Sequence, residues 1–137
     1  MKIKIINLKL YCKTNGIHFS NEINISNERY VYAIAETKKD KYFLIDGRGN
    51  PFWIYDNKAI EISDNKIPNN WIFTKKYNYY IKSEYSGVKI KNIFSPKWMI
   101  DDETFFYDII ENRDIAADKF YKNEIKPRRL QNEEEEM

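Results

Sequence analysis

Residues 29–36 read RYVYAIAE, and residues 41–55 read KYFLIDGRGNPFWIY. In the first stretch apolar side chains occupy both alternating faces, as expected of a strand in the interior of a sheet. In the second, two apolar runs of similar length flank Gly47-Arg48-Gly49-Asn50-Pro51. A glycine loop that cradles a phosphate must lead straight into a helix whose N–H groups meet the anion. Here the glycines lead into Pro51 and then FWIY, which is strand-like. The stretch therefore reads as a hairpin corner. Asp46-Gly47 and Gly49-Asn50 supply positive φ, and the connection is three to five residues long. Arg48 stands at its tip and Trp53 just inside it, a donor fork beside a large aromatic that suits contact with a partner.

Working outward, short apolar runs at residues 2–10, 22–26, 58–63, 71–76, 79–82 and 88–92 read as further strands. Turn chemistry at Asn15-Gly16, around Pro68 and at Ser86-Gly87 separates them. The spacing predicts an antiparallel meander over residues 2–95. Beyond Pro96 the period changes. Asp101 or Asp102 is the expected N-cap of a helix with Phe105, Phe106, Ile109 and Ile110 on one face and Asp108 and Glu111 on the solvent face. Asp114 is the expected cap of a second helix, residues 115–125, with Ala116 and Phe120 inward and Pro127 as its stop. Residues 128–137, with their acidic end, read as a mobile tail. The expected fold is one α+β domain over residues 1–127, with two short C-terminal helices packed on the sheet.

Composition agrees with this. A chain of 137 residues, 42% hydrophobic and 32% charged, has the size and balance of one folded domain. No apolar run approaches the roughly 20 residues a membrane helix needs. The N-terminal run is broken by Lys4 and Lys9 and reads as neither signal peptide nor anchor. A single cysteine, Cys12, allows no internal disulfide and fits a reducing cytoplasm. Lys, Asn, Ile, Tyr and Phe, all with A/T-rich codons, are abundant. The 16% aromatic content is therefore read first as core from a low-GC genome. The net charge of +2 is unevenly spread. Residues 1–100 carry 17 Lys/Arg against 9 Asp/Glu, whereas residues 101–137 carry 6 against 12. Such a split marks either an interaction surface or a solvated face.

Groups able to do chemistry are few. His18 and Cys12 are the only imidazole and thiol. Cys12 closes an expected strand where a small apolar residue suits, and two such ligands cannot build a zinc site. Asp101, Asp102, Glu103, Asp108 and Glu111 could hold Mg²⁺, but acids near Asp102 already suit the positive end of a helix. Glu124-Ile125-Lys126 resembles half of a metal-nuclease motif, off the strand where that motif belongs. The expectation is a non-enzyme with no catalytic residue, cofactor or metal. Lys38, Lys39 and Lys41 cluster at a turn, and Lys75, Lys76, Lys82, Lys89 and Lys91 lie on expected strands beside Tyr77, Tyr79, Tyr80 and Tyr85. This gives the alternative of a small nucleic-acid-binding or phage-derived accessory protein that uses a Lys/Tyr-rich sheet face.

From residue 64 onward the sequence runs DNKIPNNWIF, a Lys- and Tyr-rich hairpin, and then FSPKWMIDDETFFYDIIENRDIAADKFYKN. This layout of an aromatic-Pro-Trp segment, an acidic helix start, a Phe-Phe helix, a break and a second helix resembles small cytoplasmic immunity proteins. Those are encoded beside bacterial polymorphic or contact-dependent toxins. The resemblance implies a protein without catalytic groups that binds a cognate toxin domain through one face. Against a nuclease-type toxin with a basic groove, the complementary residues are Asp101, Asp102, Glu103, Asp108, Glu111 and Asp114.

Overall fold

The computed structural model describes residues 1–18, 28–75, 79–81, 88–111 and 113–136. The strand expected at residues 22–26 and the Ser86-Gly87 turn lie outside them. In chain order the elements are β1 (Lys2–Ile5), α1 (Leu8–Asn15), β2 (Arg29–Tyr30), β3 (Ala33–Glu36), β4 (Lys41–Gly47), β5 (Asn50–Tyr55), β6 (Ile60–Asp64), β7 (Trp71–Lys75) and β8 (Asn92–Pro96), followed by α2 (Lys97–Asp101), α3 (Phe105–Ile110), α4 (Asp114–Phe120), a π turn (Tyr121–Ile125) and α5 (Lys126–Glu136). The class is α+β, as expected, but the strands divide into two antiparallel sheets. One has the order β2-β1-β6 and the other β5-β4-β3-β8-β7.

The larger sheet is buried on both faces at its centre, along β3 and β4. Ala33, Ala35, Tyr42, Leu44 and Ile93 pack toward the C-terminal helices, against Met99, Phe105, Phe106 and Phe120. Their alternates Ile34, Phe43, Ile45 and Ile54 pack toward β1, β6 and α1, against Ile3, Ile5, Tyr11 and Cys12. Side chains of successive strand residues point to opposite faces, so one strand serves two cores. Each fully buried side chain of this kind contributes about 1.5–3 kcal/mol. The double-sided pattern holds for Ala33–Glu36, which is β3, the middle strand of five, but the single strand expected over residues 29–36 is divided, because Arg29–Tyr30 is β2 in the smaller sheet.

The N-terminal expectation is corrected. Strand β1 stops at Ile5, and residues 8–15 are helical. Asn7 ends the strand because its side chain accepts from Leu10 N at 3.1 Å, an N-cap bond. Leu8, Tyr11 and Cys12 then turn inward at helical spacing, so Cys12 is a buried helix residue rather than a strand end. Gly16 closes the helix in the left-handed conformation, φ 66°.

The hairpin is as read, but tighter. Gly47 still pairs with Asn50, so only Arg48 and Gly49 form the loop, at φ 60° and 95°. Two successive positive φ values are what a two-residue hairpin of the primed type requires. Gly47 serves space instead of φ, since a Cβ there would lie 2.5 Å from the Phe52 ring.

At the C-terminus the structure departs from two capped helices. Pro96 begins α2 at Lys97, earlier than expected. The last helix does not stop at Pro127. It passes through a π turn and continues as α5 to Glu136. Proline clashes with the carbonyl four residues back in a regular helix, and a widened turn immediately before it removes that conflict. Arg128 then lies over the Tyr30 ring at 3.7 Å and near Tyr32 at 5.2 Å, which pins the start of α5 to the body. Among the described residues no helix is long and apolar enough to cross a membrane.

Candidate partner-binding surface

The segment from α2 to α4 carries most of the residues singled out from the sequence, and it is organised by Asp102. One carboxylate oxygen accepts from Thr104 N at 3.1 Å and from the Thr104 hydroxyl at 3.3 Å, which shapes the α2–α3 turn. The other pairs with Lys119 Nζ at 2.7 Å and so fastens that turn to α4. Burial pushes the Asp102 carboxyl up, but the bonds from Lys119 and Thr104 outweigh it and hold the group below its ordinary value. Asp102 is therefore a hub between elements instead of the N-cap of α3, a position held by Thr104 without a side-chain bond. Likewise Asp114 is the first residue of α4 and follows the cap Arg113.

The six acids do not form one exposed patch. Asp108 is the main correction. Its side chain is only 4% exposed and faces Arg113 Nη1 at 3.6 Å. Helix α3 packs on β5 and on α4 at once, so its buried arc includes Asp108 as well as Phe105, Phe106 and Ile109. Asp101 is exposed but paired with Lys97 at 2.7 Å, one helical turn away. Glu103, Glu111 and Asp114 are exposed, and among the described residues no cation pairs with them.

Beside these three carboxylates lie features that the charge pattern did not reveal. Tyr107 is 44% and Ile115 49% exposed. Arg113 spreads over the Tyr107 ring at 5.1 Å while its backbone N–H donates to Asp108 O at 3.0 Å. The signal for Tyr107 was present in the sequence. With Phe105, Phe106 and Ile109 inward, an aromatic at position 107 points outward by helical period. The result is a Tyr-Arg-Ile surface among exposed acids.

Trp53 and Arg48 are not equivalent. Arg48 is exposed at the hairpin tip. Trp53 is half-buried and stacks on Phe106, centroids 5.9 Å apart, so its main role is to join β5 to α3. The lysine- and tyrosine-rich face is also divided. Tyr79 packs toward Phe106, and its hydroxyl donates to the Glu103 carbonyl. The Tyr80 ring carries Lys89 at 5.5 Å. Lys76, Tyr77, Lys82 and Tyr85 lie outside the described residues. Cys12 is buried in α1, and His18 is exposed beyond its end. Among the described residues no three His, Cys, Asp or Glu side chains converge as metal ligands.

Compared with protein-family models, with curated proteins and with solved structures, the chain matches none.

Proposed function

We propose that the chain is a non-enzymatic, immunity-type inhibitor that binds a cognate bacterial toxin domain, of nuclease type, in the cytoplasm. The observation that carries this reading is the α3–α4 surface, where exposed Tyr107 and Ile115 sit among Glu103, Glu111 and Asp114, acids with which no cation among the described residues pairs. Interfaces concentrate their energy in central Tyr, Trp and Arg residues, and the Tyr107–Arg113 pair is of that kind. Unpaired acids around such a centre raise the encounter rate with a basic groove and fix its orientation. A nanomolar complex needs about −12 kcal/mol. One face of a domain this size can present the roughly 800 Å² per partner of a standard interface.

The test is co-expression with the variable C-terminal domain of a secreted toxin encoded beside this chain. The intact chain should rescue growth. Tyr107→Ala and the triple reversal Glu103→Lys, Glu111→Lys, Asp114→Lys should each lose rescue while remaining folded by circular dichroism. Failure of the intact chain to rescue removes the immunity reading. Rescue unaffected by these variants moves the binding face elsewhere.

A further inference from the structure

We infer that a second site, independent of the α3–α4 surface, binds a small phosphorylated anion in the cleft beside the β3–β4 turn. The cleft has a volume of ≈ 420 Å³ and is lined by Thr37, Lys38, Lys39, Asp40, Val88 and Lys89. Small-molecule sites span about 300–1,000 Å³. Three lysines from two separate segments thus line one concavity, and the Lys89 ammonium rests on the Tyr80 ring beside it. Among the described residues no carboxylate lies within ion-pair distance of any of them. Asp40, the acid among the described lining residues, already accepts the Tyr55 hydroxyl at 2.7 Å. Lys41 does not join the group. It acts on Asp56, where it counters the rise that burial gives that carboxyl.

Both lysine-bearing segments are held on the rigid sheet. The turn is closed by Thr37 N donating to Asp40 O at 2.8 Å and by Asp40 N donating to Thr37 Oγ1 at 3.0 Å. The opposite wall is tied to β3 by Lys91 N donating to Glu36 O at 2.7 Å, with Ile90 buried beside it. Lys89 is further held by its bridge to Tyr80. Like charges collected in a cleft focus a positive potential, and a phosphoryl dianion relieves their mutual repulsion. Lysine serves phosphate as a point charge, so no planar fork is needed. The site suits a compact ligand better than a strand of nucleic acid. Tyr79 is turned inward and the Tyr80 ring is covered by Lys89, so neither adds a free stacking platform.

The test uses the full chain, followed by ¹H–¹⁵N NMR at about 0.05 M and about 0.15 M salt. Inorganic pyrophosphate and AMP are the probes, with sulfate as control. AMP against pyrophosphate separates a nucleotide from free phosphate as the source of the anion, and binding of either supports the site. The amides of residues 37–40 and Lys89 should shift. Lys38→Ala, Lys39→Ala and Lys89→Ala should each weaken binding about fivefold, with unchanged thermal melting, as expected for loss of one partly screened charge contact. The inference is overturned if neither probe binds, if the lysine variants bind as well as the native chain, or if sulfate binds as tightly as pyrophosphate. It is also overturned, in favour of a nucleic-acid surface, if only oligothymidylate binds and its affinity rises with length.

Discussion

Trp98 Nε1 donates to a Glu124 carboxylate oxygen at 2.9 Å, so α2 is tied to the π turn across the C-terminal layer. Burial pushes the Glu124 carboxyl above its ordinary value of 4.5, against the opposing effects of the Trp98 bond and Arg128. The folded chain therefore keeps this proton to higher pH than the unfolded chain does. Stability falls as pH rises from 4.5 through the raised folded value, because the charged form is the one burial disfavours. Glu124→Gln keeps an acceptor for Trp98 and removes the charge. Its Tm at pH 7 should equal or exceed that of the native chain, and the decline above pH 4.5 should flatten. A clear loss of Tm at pH 7 would contradict this account.

Asp102 has the opposite sign. Its folded pKa lies below the ordinary 3.8, so its contribution is present above 3.8 and is lost as pH falls through the folded value. Asp102 and Lys119 are about one-quarter exposed, 24% and 28%, which reduces the effect through solvent screening. Asp102→Asn should cost about 1 kcal/mol at neutral pH. Urea unfolding at successively lower pH below 3.8 should show the two chains converging as the folded carboxyl takes up its proton.

Asp108 and Arg113 should respond asymmetrically. Arg113 is 54% exposed and loses little by standing alone, whereas Asp108 is buried. Arg113→Ala strands the carboxylate, and the expected cost is up to about 3 kcal/mol. Asp108→Asn, which leaves no buried charge, should cost less. Denaturant midpoints of the two variants decide the order, and a milder Arg113→Ala falsifies it.

Arg48 occupies the left-handed region with φ 60°, which a residue with a Cβ adopts at a cost of about 1 kcal/mol. Arg48→Asn gives the Asn-Gly pair favoured in two-residue hairpins and should raise stability by about 0.5–1 kcal/mol. The same variant tests whether the tip also touches a partner. Retained rescue by Arg48→Asn in the co-expression assay would confine partner contact to other residues.

The centre of the fold was legible because strand patterning is local and strong there. Ile34 between Ala33 and Ala35 leaves no polar face, and Gly47 to Pro51 admits no helix. The misreadings have tertiary causes. Residues 8–10, Leu-Lys-Leu, continue the apolar/Lys alternation of β1, and only the Leu8, Tyr11, Cys12 spacing favours a helix. Asp108 was assigned to solvent by the helical wheel, which assumes one buried face, whereas α3 is enclosed by β5 and α4 together. Pro127 was read as a stop because the rule presumes a regular helix before it, and a π turn is not encoded in any single residue. Of the candidate site, Glu103, Glu111 and Asp114 were legible as exposed acids. Tyr107 is legible only from the helical period, and the abundance of aromatics across the chain masks that signal.

The position of β3 also sets the order in which the chain can be completed. Its partners on one side, Lys41 to Leu44, follow almost at once, but those on the other, Asn92 to Phe94, lie nearly half the chain away. Local hairpins close quickly, whereas distant pairings bear a larger loop-closure entropy and form late. While the chain is being synthesised, β3, β4 and β5 can assemble as a ribbon with an unpaired edge and two apolar faces. That ribbon remains open to pairing with other chains until β8 leaves the ribosome. A strand paired along both edges in the finished molecule is thus one left open to aggregation during its birth.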